Sequence, residues 1–555
     1  MFYMMFYLFM VYFLILVIFL FNTLIEEKFY ILEWNIFSFY FNMDIKMFFY
    51  FDYLSNLFMI VVSLISAVVF YFSKDYMESD KMKEKFIFFT FLFVMCMYLM
   101  ILSLNIIIIL LGWDGLGIVS YFLVVHYNSD NSHYSGIITV VTNRIGDIGI
   151  IFMMFMMCSL FSFDVIIIDL FSENFFNLVL IMLIMSAFTK SAQFPFSSWL
   201  PLAMAAPTPI SSLVHSSTLV TAGVYLFIRF SSFFQNNSVF VFNVLLLTLI
   251  TVFNASLSAL MEMDIKKIIA YSTLSQLSLM MMAVVMGNDI LSFFHVLTHA
   301  MFKALMFLCS GIFIHECFDN QDVRSYSMTV KTNIFVVSIF FICSLSLMGF
   351  PFLSGFYSKD LILELMYSMN FNVFYIFVVM LSTSFTTFYS VRLICMSLLM
   401  GSNSSKMLFS MAWSKMYDTL ILLFFGVLFT GSVLNWLIMD KLVVFFMTEK
   451  VKILNLALIL GGILIMIFLK GMFLNQLFLN MFVGMFYLTK SQGDLMNSIF
   501  SKSMYFTLHM EYALEYLFVL KPKYLISYFS NLLMFFKMFN YLLGFSLILV
   551  VLLYL

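Results

Sequence analysis

Long apolar stretches separated by short polar joints run the length of the chain. Stretches of spanning length fall at about 3–22, 50–73, 86–104, 106–127, 136–160, 177–193, 208–230, 238–260, 266–287, 290–315, 333–352, 371–400, 416–439, 452–469 and 538–555. A helix needs about 20 apolar residues to cross the hydrocarbon core of a bilayer. The pattern therefore predicts an all-α polytopic membrane protein with about 15 transmembrane helices. The first run, Phe2 to Phe21, lacks a basic leader and a small-residue cleavage site, so it reads as a retained span. Residues 23–49 are too charged to span. The mixed-charge run Lys74–Lys85 reads as a solvated loop whose signs cancel, leaving orientation open.

Two places interrupt the apolar periodicity with proline. Pro195, Pro201, Pro207 and Pro209 crowd the segment just after Lys190, and Pro351 precedes Lys359. Proline removes a helix hydrogen bond and frees carbonyls. Within a membrane such breaks are tolerated where they are buried in protein or line a polar cavity. Pairs of broken helices in two inverted repeats mark the ion sites of many transporters. The pattern predicts two repeats, 106–230 and 238–400, following N-terminal helices at 1–105. Further helices at 401–470, a loop and surface helix at 471–537, and a last anchor at 538–555 complete the division. The simpler alternative is that these prolines only end helices at loops. Between Asn497 and Phe536 charges recur within apolar sequence (Lys502, His509, Glu511, Glu515, Lys521, Lys523), which predicts a long C-terminal amphipathic helix lying laterally along the membrane or along neighbouring subunits.

The polar residues inside the spans carry the candidate chemistry. His295, His299 and Lys303 stand at i, i+4 and i+8, on one face of a single helix. A lysine near the membrane centre costs roughly 2.5–3.5 kcal/mol even on an insertion scale, so a row of this kind points to proton movement. Asp114 lies mid-run in 106–127, and Lys190 ends the run before the first break. An Asp114–Lys190 pair that opens and closes would act as a proton switch. Lys190, His215, His295, His299, Lys303 and Lys359 could form a hydrated relay, histidine being suited to pass protons near neutral pH. Arg144 and Asp147 add a base and an acid that read equally as a structural salt bridge, and Lys359 with Asp360 reads equally as a local ion pair. His215 alone also reads as an interhelical contact. Asp264, Lys266 and Lys267 read as an interfacial loop. His126, His133, His315 and His509 read as helix-end or loop residues. The His295/His299 pair lacks a third ligand, so a metal is not expected.

Composition sharpens the class. Of 555 residues 64% are apolar and only 10% charged, with 27 basic against 29 acidic side chains, which gives nucleic acid no attraction. The six cysteines are scattered without CxxC pairs, and no Walker A or dinucleotide fingerprint occurs, so no cofactor is expected in this chain. The abundance of Phe (75) and Met (48), residues with AT-rich codons, points to an AT-rich organelle genome, although any membrane protein favours both.

These residues fall in long motifs: Leu-Leu-Gly-Trp-Asp-Gly-Leu-Gly around Asp114, Asn-Arg-Ile-Gly-Asp at 143–147 and Thr-Lys-Ser-Ala-Gln-Phe-Pro at 189–195. Ala-Pro-Thr-Pro-Ile-Ser-Ser-Leu-Val-His-Ser-Ser-Thr at 206–218, Asp-Ile-Lys-Lys-Ile at 264–268, His-Val-Leu-Thr-His-Ala-Met-Phe-Lys-Ala at 295–304 and Gly-Phe-Pro-Phe-Leu-Ser-Gly-Phe-Tyr-Ser-Lys-Asp at 349–360 follow. In them the chain resembles the chain 5 family of mitochondrial NADH–ubiquinone oxidoreductase, the distal antiporter-like subunits of the complex I membrane arm. The match is strong over about 105–400 and rests on layout elsewhere. The resemblance implies proton pumping across the mitochondrial inner membrane, driven by electron transfer in other subunits that hold FMN, iron–sulfur clusters and ubiquinone. It implies an acidic switch residue at Asp114 paired with Lys190, a central lysine at Lys303 with His215, His295 and His299 in the axis, and a terminal lysine at Lys359. It also implies partners: the other membrane-arm subunits, above all a neighbouring antiporter-like subunit under the lateral helix, and lipids such as cardiolipin. Asp114 stands where many relatives have Glu, which favours a bridging water over a direct pair with Lys190. The N-terminal region is one helix short of the family pattern. A stand-alone cation/proton antiporter subunit and a non-transporting membrane scaffold are the alternatives.

Overall fold

The computed structural model describes residues 1–26, 29–38, 44–158, 173–231, 238–328, 333–368, 373–396, 415–438, 449–468, 498 and 501. Among these, eleven helices are long and apolar enough to cross a membrane, from Phe2–Leu24 to Met416–Ile438. Three shorter apolar helices, Asn177–Lys190, Ile334–Met348 and Ile453–Leu464, occupy the positions of three further expected spans. The helical membrane architecture read from the pattern is therefore the observed one. The expected 538–555 anchor and the lateral helix over 497–536 lie outside the described residues.

Three spans form the interior. Thr208–Arg229, Ile265–Val285 and Asp289–Glu316 are apolar windows buried over their full length, whereas only 17% of the Phe2–Leu24 window is buried. The Asp289–Glu316 helix packs against Tyr53–Tyr76, Ile265–Val285, Ile334–Met348 and Lys415–Ile438, so its polar row is held away from lipid on every side. Its central position follows from its composition: a helix with a polar row cannot face hydrocarbon without cost.

Residues 30–51 add an element that the apolar pattern did not predict. Tyr30–Ser38 and Asp44–Phe51 pair as an antiparallel two-stranded hairpin, with an irregularity between Asn35 and Phe37. The alternation of bulky apolar and polar residues here has a period of two, which suits a strand and gives no spanning helix. Asp52 then starts the Tyr53–Tyr76 helix with a capping box: its carboxylate accepts from the Ser55 backbone N–H at 2.8 Å, and its own N–H donates to Ser55 Oγ at 2.9 Å. The same carboxylate takes a two-pronged grip from Arg229, at 2.6 and 2.9 Å. Arg229 also donates to the Tyr225 hydroxyl, which donates to the Ile101 carbonyl at 3.0 Å. One buried cluster thus ties the hairpin, the second span and the far end of the first broken helix.

Both proline-rich places are real breaks. After Lys190 the chain passes through short turns at Trp199–Leu202 and Ala203–Ala205 before the helix resumes at Thr208. The Ile334–Met348 helix ends at Gly349 in the left-handed conformation (φ 87°), two residues before Pro351. Each break is followed by a stretch of wider π-helical turns, Ser211–Thr218 and Phe356–Asp360. Such turns are rare and concentrate at functional sites. Here one contains His215 and the other Lys359.

Candidate proton-relay site

Lys190 is the last residue of the Glu173–Lys190 helix and is fully buried. Its ammonium lies 4.9 Å from the centre of the Trp113 ring and donates to the Trp113 carbonyl at 3.1 Å. Asp114 is not its ion-pair partner. The Asp114 carboxylate faces Arg144 at 3.5 Å, and Arg144 also holds Asp147 at 3.1 Å. The lack of a direct Asp114–Lys190 pair agrees with the short reach expected of Asp at this position, and helix geometry adds to it. Lys190 approaches the face bearing residues 113 and 117, where a Cβ on Gly117 would stand 3.6 Å from Nζ. Asp114 is about 100° around the helix from Trp113 and points elsewhere. Both carboxylates still act on Lys190 electrostatically, Asp147 ahead of Asp114. Arg144 and Asp147, readable from sequence as a mere salt bridge, belong to this group. It is open at its edge: the Arg144 side chain is 47% exposed and that of Asp114 30%.

His295, His299 and Lys303 form the second group, all of them buried. The ring centres of His295 and His299 are 6.1 Å apart. His295 Nε2 donates to Gln276 Oε1 at 3.2 Å, and Ser358 Oγ donates to His295 Nδ1 at 2.8 Å. This assignment follows from the carbonyl oxygen of Gln276, which can only accept. Thr298 Oγ1 meets Ser358 Oγ at 3.0 Å. Lys303 donates to Ser272 Oγ. Neither ring nitrogen of His299 has a hydrogen-bond partner among the described residues, and the ring stacks edge-on to Phe302 at 5.3 Å. A buried imidazole in that position needs water to satisfy it.

Lys359 completes this group from the second break. Its ammonium donates to the Leu347 and Met348 carbonyls at 3.2 and 3.3 Å and to Thr386 Oγ1 at 3.1 Å. It therefore caps the negative end of the Ile334–Met348 helix. Asp360 and Lys359 act on each other through their charges, while the hydrogen bonds of Lys359 go to the carbonyls which the proline break frees. Gly355 makes the approach possible. A Cβ there would collide with the Ser346 carbonyl oxygen. Gly355→Ala is expected to push the π-helical turn off the helix end and misplace Lys359. Coupled proton translocation should then fall about tenfold, the scale of loss when a reacting group is held slightly out of position. Proton-to-electron stoichiometry of the assembled complex checks this.

His215 is 1% exposed, with no hydrogen-bond partner at either nitrogen among the described residues; 6.2 Å away lies the Trp199 ring, which donates to the Thr189 carbonyl next to Lys190. The Asp289–Glu316 helix packs on its π-helical segment. The structure therefore gathers the seven relay candidates into two charged groups with one histidine between them. Within the second group the ammonium of Lys359 acts on both His295 and Lys303, and Lys303 acts on His299.

Several participants carried little signal in the sequence. Ser272 and Gln276 stand at i, i+4 on the Ile265–Val285 helix, but Thr273, Ser275 and Ser278 lie among them, so spacing alone does not single them out as facing the His–Lys row. Ser358 and Thr386 had no mark either. Lys266 corrects the reading of 264–267 as an interfacial loop. Asp264 and Lys267 do pair there at 2.6 Å, but Lys266 is buried and donates to the Ala206 carbonyl at 3.1 Å, holding the stretch of chain before Pro207. His126, His133 and His315 lie at helix ends as expected, His126 meeting Asp80 at 3.2 Å. Among the described residues no three His, Cys, Asp or Glu side chains converge as a metal site would require.

This is the build of an antiporter-like proton-translocating membrane subunit: broken helices, buried lysines at the breaks and a histidine row between them. Residues 103–386 match the family model described as NADH:quinone oxidoreductase/Mrp antiporter, and residues 37–87 match that described as complex I chain 5 N-terminus. The NADH-ubiquinone oxidoreductase chain 5 of Aedes aegypti is 42% identical over 487 residues, covering 87% of this chain and 82% of its own length. That of Anopheles gambiae is 43% identical, covering 80% and 76%. The chain belongs to the NADH-ubiquinone oxidoreductase chain 5 family. The fold is shared more widely. A chain of the Mrp complex from a Dietzia species superposes with a TM-score of 0.68 at 18% identity, covering 88% of this chain, which spans 57% of that one. A chain of the archaeal membrane-bound sulfane sulfur reductase superposes with a TM-score of 0.63 at 19% identity, covering 75% of this chain and 85% of its own.

Proposed function

We propose that the chain translocates protons as a membrane-arm subunit of respiratory complex I in the mitochondrial inner membrane. The observation that carries this reading is the buried line Lys303–His299–His295–Ser358–Lys359. It contains two ammonium groups and two imidazoles within electrostatic reach of one another. Like charges repel across such a line. A proton arriving at one end therefore favours release at the other, with the Ser358 hydroxyl bonded to His295 and the Lys359 ammonium acting on the same imidazole through its charge. The first group, with Asp114, Asp147, Arg144 and Lys190, forms the switch. Opening or closing the Arg144 contacts changes the field at Lys190, and His215 joins the switch to the line through water.

The chain acts with other subunits. NADH oxidation and ubiquinone reduction, with FMN and the iron–sulfur clusters, take place there, and this chain holds no redox group. Mosquito relatives bearing the NADH-ubiquinone oxidoreductase name support that assignment. A neighbouring antiporter-like subunit is the partner we expect at the open edge of Arg144 and Asp114 and under the lateral helix, with anionic lipids such as cardiolipin around the assembly. The two groups correspond to two inverted repeats over 106–230 and 238–400.

Asp114→Asn tests the switch. It removes one of the two anionic contacts of Arg144 and one of the two carboxylates acting on Lys190. Coupled NADH:quinone turnover in assembled complex should slow about tenfold, within the range for loss of one charged partner. Unchanged turnover and stoichiometry would remove Asp114 from the switch.

A further inference from the structure

A cleft of about 480 Å³ lies between the Phe2–Glu26, Tyr53–Tyr76 and Lys415–Ile438 helices, and none of its lining residues belongs to the buried proton line. Tyr3, Phe6 and Tyr71 form its aromatic wall, with ring centres 5.8 Å apart for Tyr3–Tyr71 and 4.9 Å for Phe6–Tyr71. Asp418 stands at its rim, and Val68 and Leu422 close it further in. Tyr3 and Asp418 are in the first turns of their helices and Lys74 is in the last turn of its own, with Tyr71 one turn further in and Val68 and Leu422 deeper. From these helix ends inward the lining changes from charged and tyrosine side chains to aliphatic ones, as a phospholipid changes from headgroup to acyl chain. The wall already receives a cation: Lys74 Nζ lies 3.8 Å from the centre of the Tyr3 ring.

We propose that this cleft binds a membrane phospholipid with a cationic headgroup, of the choline or ethanolamine class. The headgroup ammonium lies at the Asp418 carboxylate and against the Tyr71 ring, the Tyr3 face being taken by Lys74. The phosphate lies toward Lys74, and the first acyl carbons run down over Val68 and Leu422. A zwitterion matches this arrangement of one anion, one cation and an aromatic wall. A purely anionic headgroup would set its charge against Asp418. The site is separate from the proton line and does not depend on its role.

The test uses the intact assembled complex in vesicles of phosphatidylcholine and phosphatidylglycerol in equal parts, doped with a photoactivatable analogue of one or the other. The choline probe should label the 3–6 and 418–422 segments about fivefold more than the glycerol probe, the ratio expected from one cation–π contact. Asp418→Asn and, separately, Tyr71→Leu should bring the two probes near parity, while Asp418→Glu keeps the preference. Equal labelling of the unaltered complex, preference for the glycerol probe, or a choline preference that survives both variants overturns the proposal.

Discussion

Lys303→Ala is expected to leave complex I assembled and to reduce proton translocation about a hundredfold at the step that uses this line, the scale of losing a positioned proton-transfer group. The buried ammonium costs free energy to keep charged in the interior and has the Ser272 hydroxyl as its direct side-chain partner. Removing it takes away that cost and one hydrogen bond, so assembly should survive. What is lost, on the proposed relay, is the charged neighbour that exchanges protons with His299. Lys303→Met separates packing from chemistry. It keeps most of the side-chain volume and lacks the exchangeable proton, so it should behave as Lys303→Ala does. Proton-to-electron stoichiometry measured beside the amount of assembled complex decides the matter. Normal stoichiometry in both variants would leave the chain a scaffold whose charges only join helices.

The second large effect is on stability, at the Asp52–Arg229 pair. Asp52→Ala should cost about 3–5 kcal/mol, the usual range when one partner of a buried ion pair is removed and the other is left uncompensated. Arg229 would then face only Tyr225, and the Tyr53–Tyr76 helix would lose its cap. The expected result is a sharp fall in assembled complex on native gels and a lower thermal midpoint for what remains. The double variant Asp52→Leu/Arg229→Leu should recover much of the loss, since an apolar pair leaves no unpaired charge; no recovery would mean that the pair is not the source of the effect. The pH dependence has a definite sign. Burial pushes the Asp52 carboxyl up, but the Arg229 guanidinium and the Ser55 donors outweigh it and hold the group below the usual aspartate range. A carboxyl depressed in the folded state contributes stability that is fully present above its unfolded value of about 4, and that is lost as pH falls through the lower folded value. Acid should therefore loosen the hairpin from the second span only below about pH 4.

Much of the membrane body was legible because hydrophobic length is a strong local signal. Runs such as 266–287 and 290–315 needed no tertiary context to be read as helices. The breaks were legible from proline, which acts on its own backbone wherever it stands. The His295–His299–Lys303 row was legible because helical spacing alone places it on one face. The hairpin over 30–51 was missed because strand pairing joins two segments of the chain, and nothing of spanning length within either one signals it. The partner that Asp114 meets directly, Arg144, was not legible because one residue of offset along a helix turns a side chain through about 100°, and only the packing of one helix on another reveals which face meets which.

The sequence by itself determined that this chain spans a membrane many times, that proline interrupts it at 195–209 and 351, and that lysines and histidines stand inside its apolar runs. Local forces decide these points: apolar length, proline's missing N–H, the cost of a charge in hydrocarbon. Tertiary structure alone decided the partners. It gave Asp114 to Arg144, Lys190 to the Trp113 carbonyl, Lys303 to Ser272 and Lys359 to the carbonyls at the end of the Ile334–Met348 helix. Hydrogen bonds and ion pairs are short and directional, so they depend on how helices distant in sequence are rotated and spaced, and no periodicity within one helix encodes that.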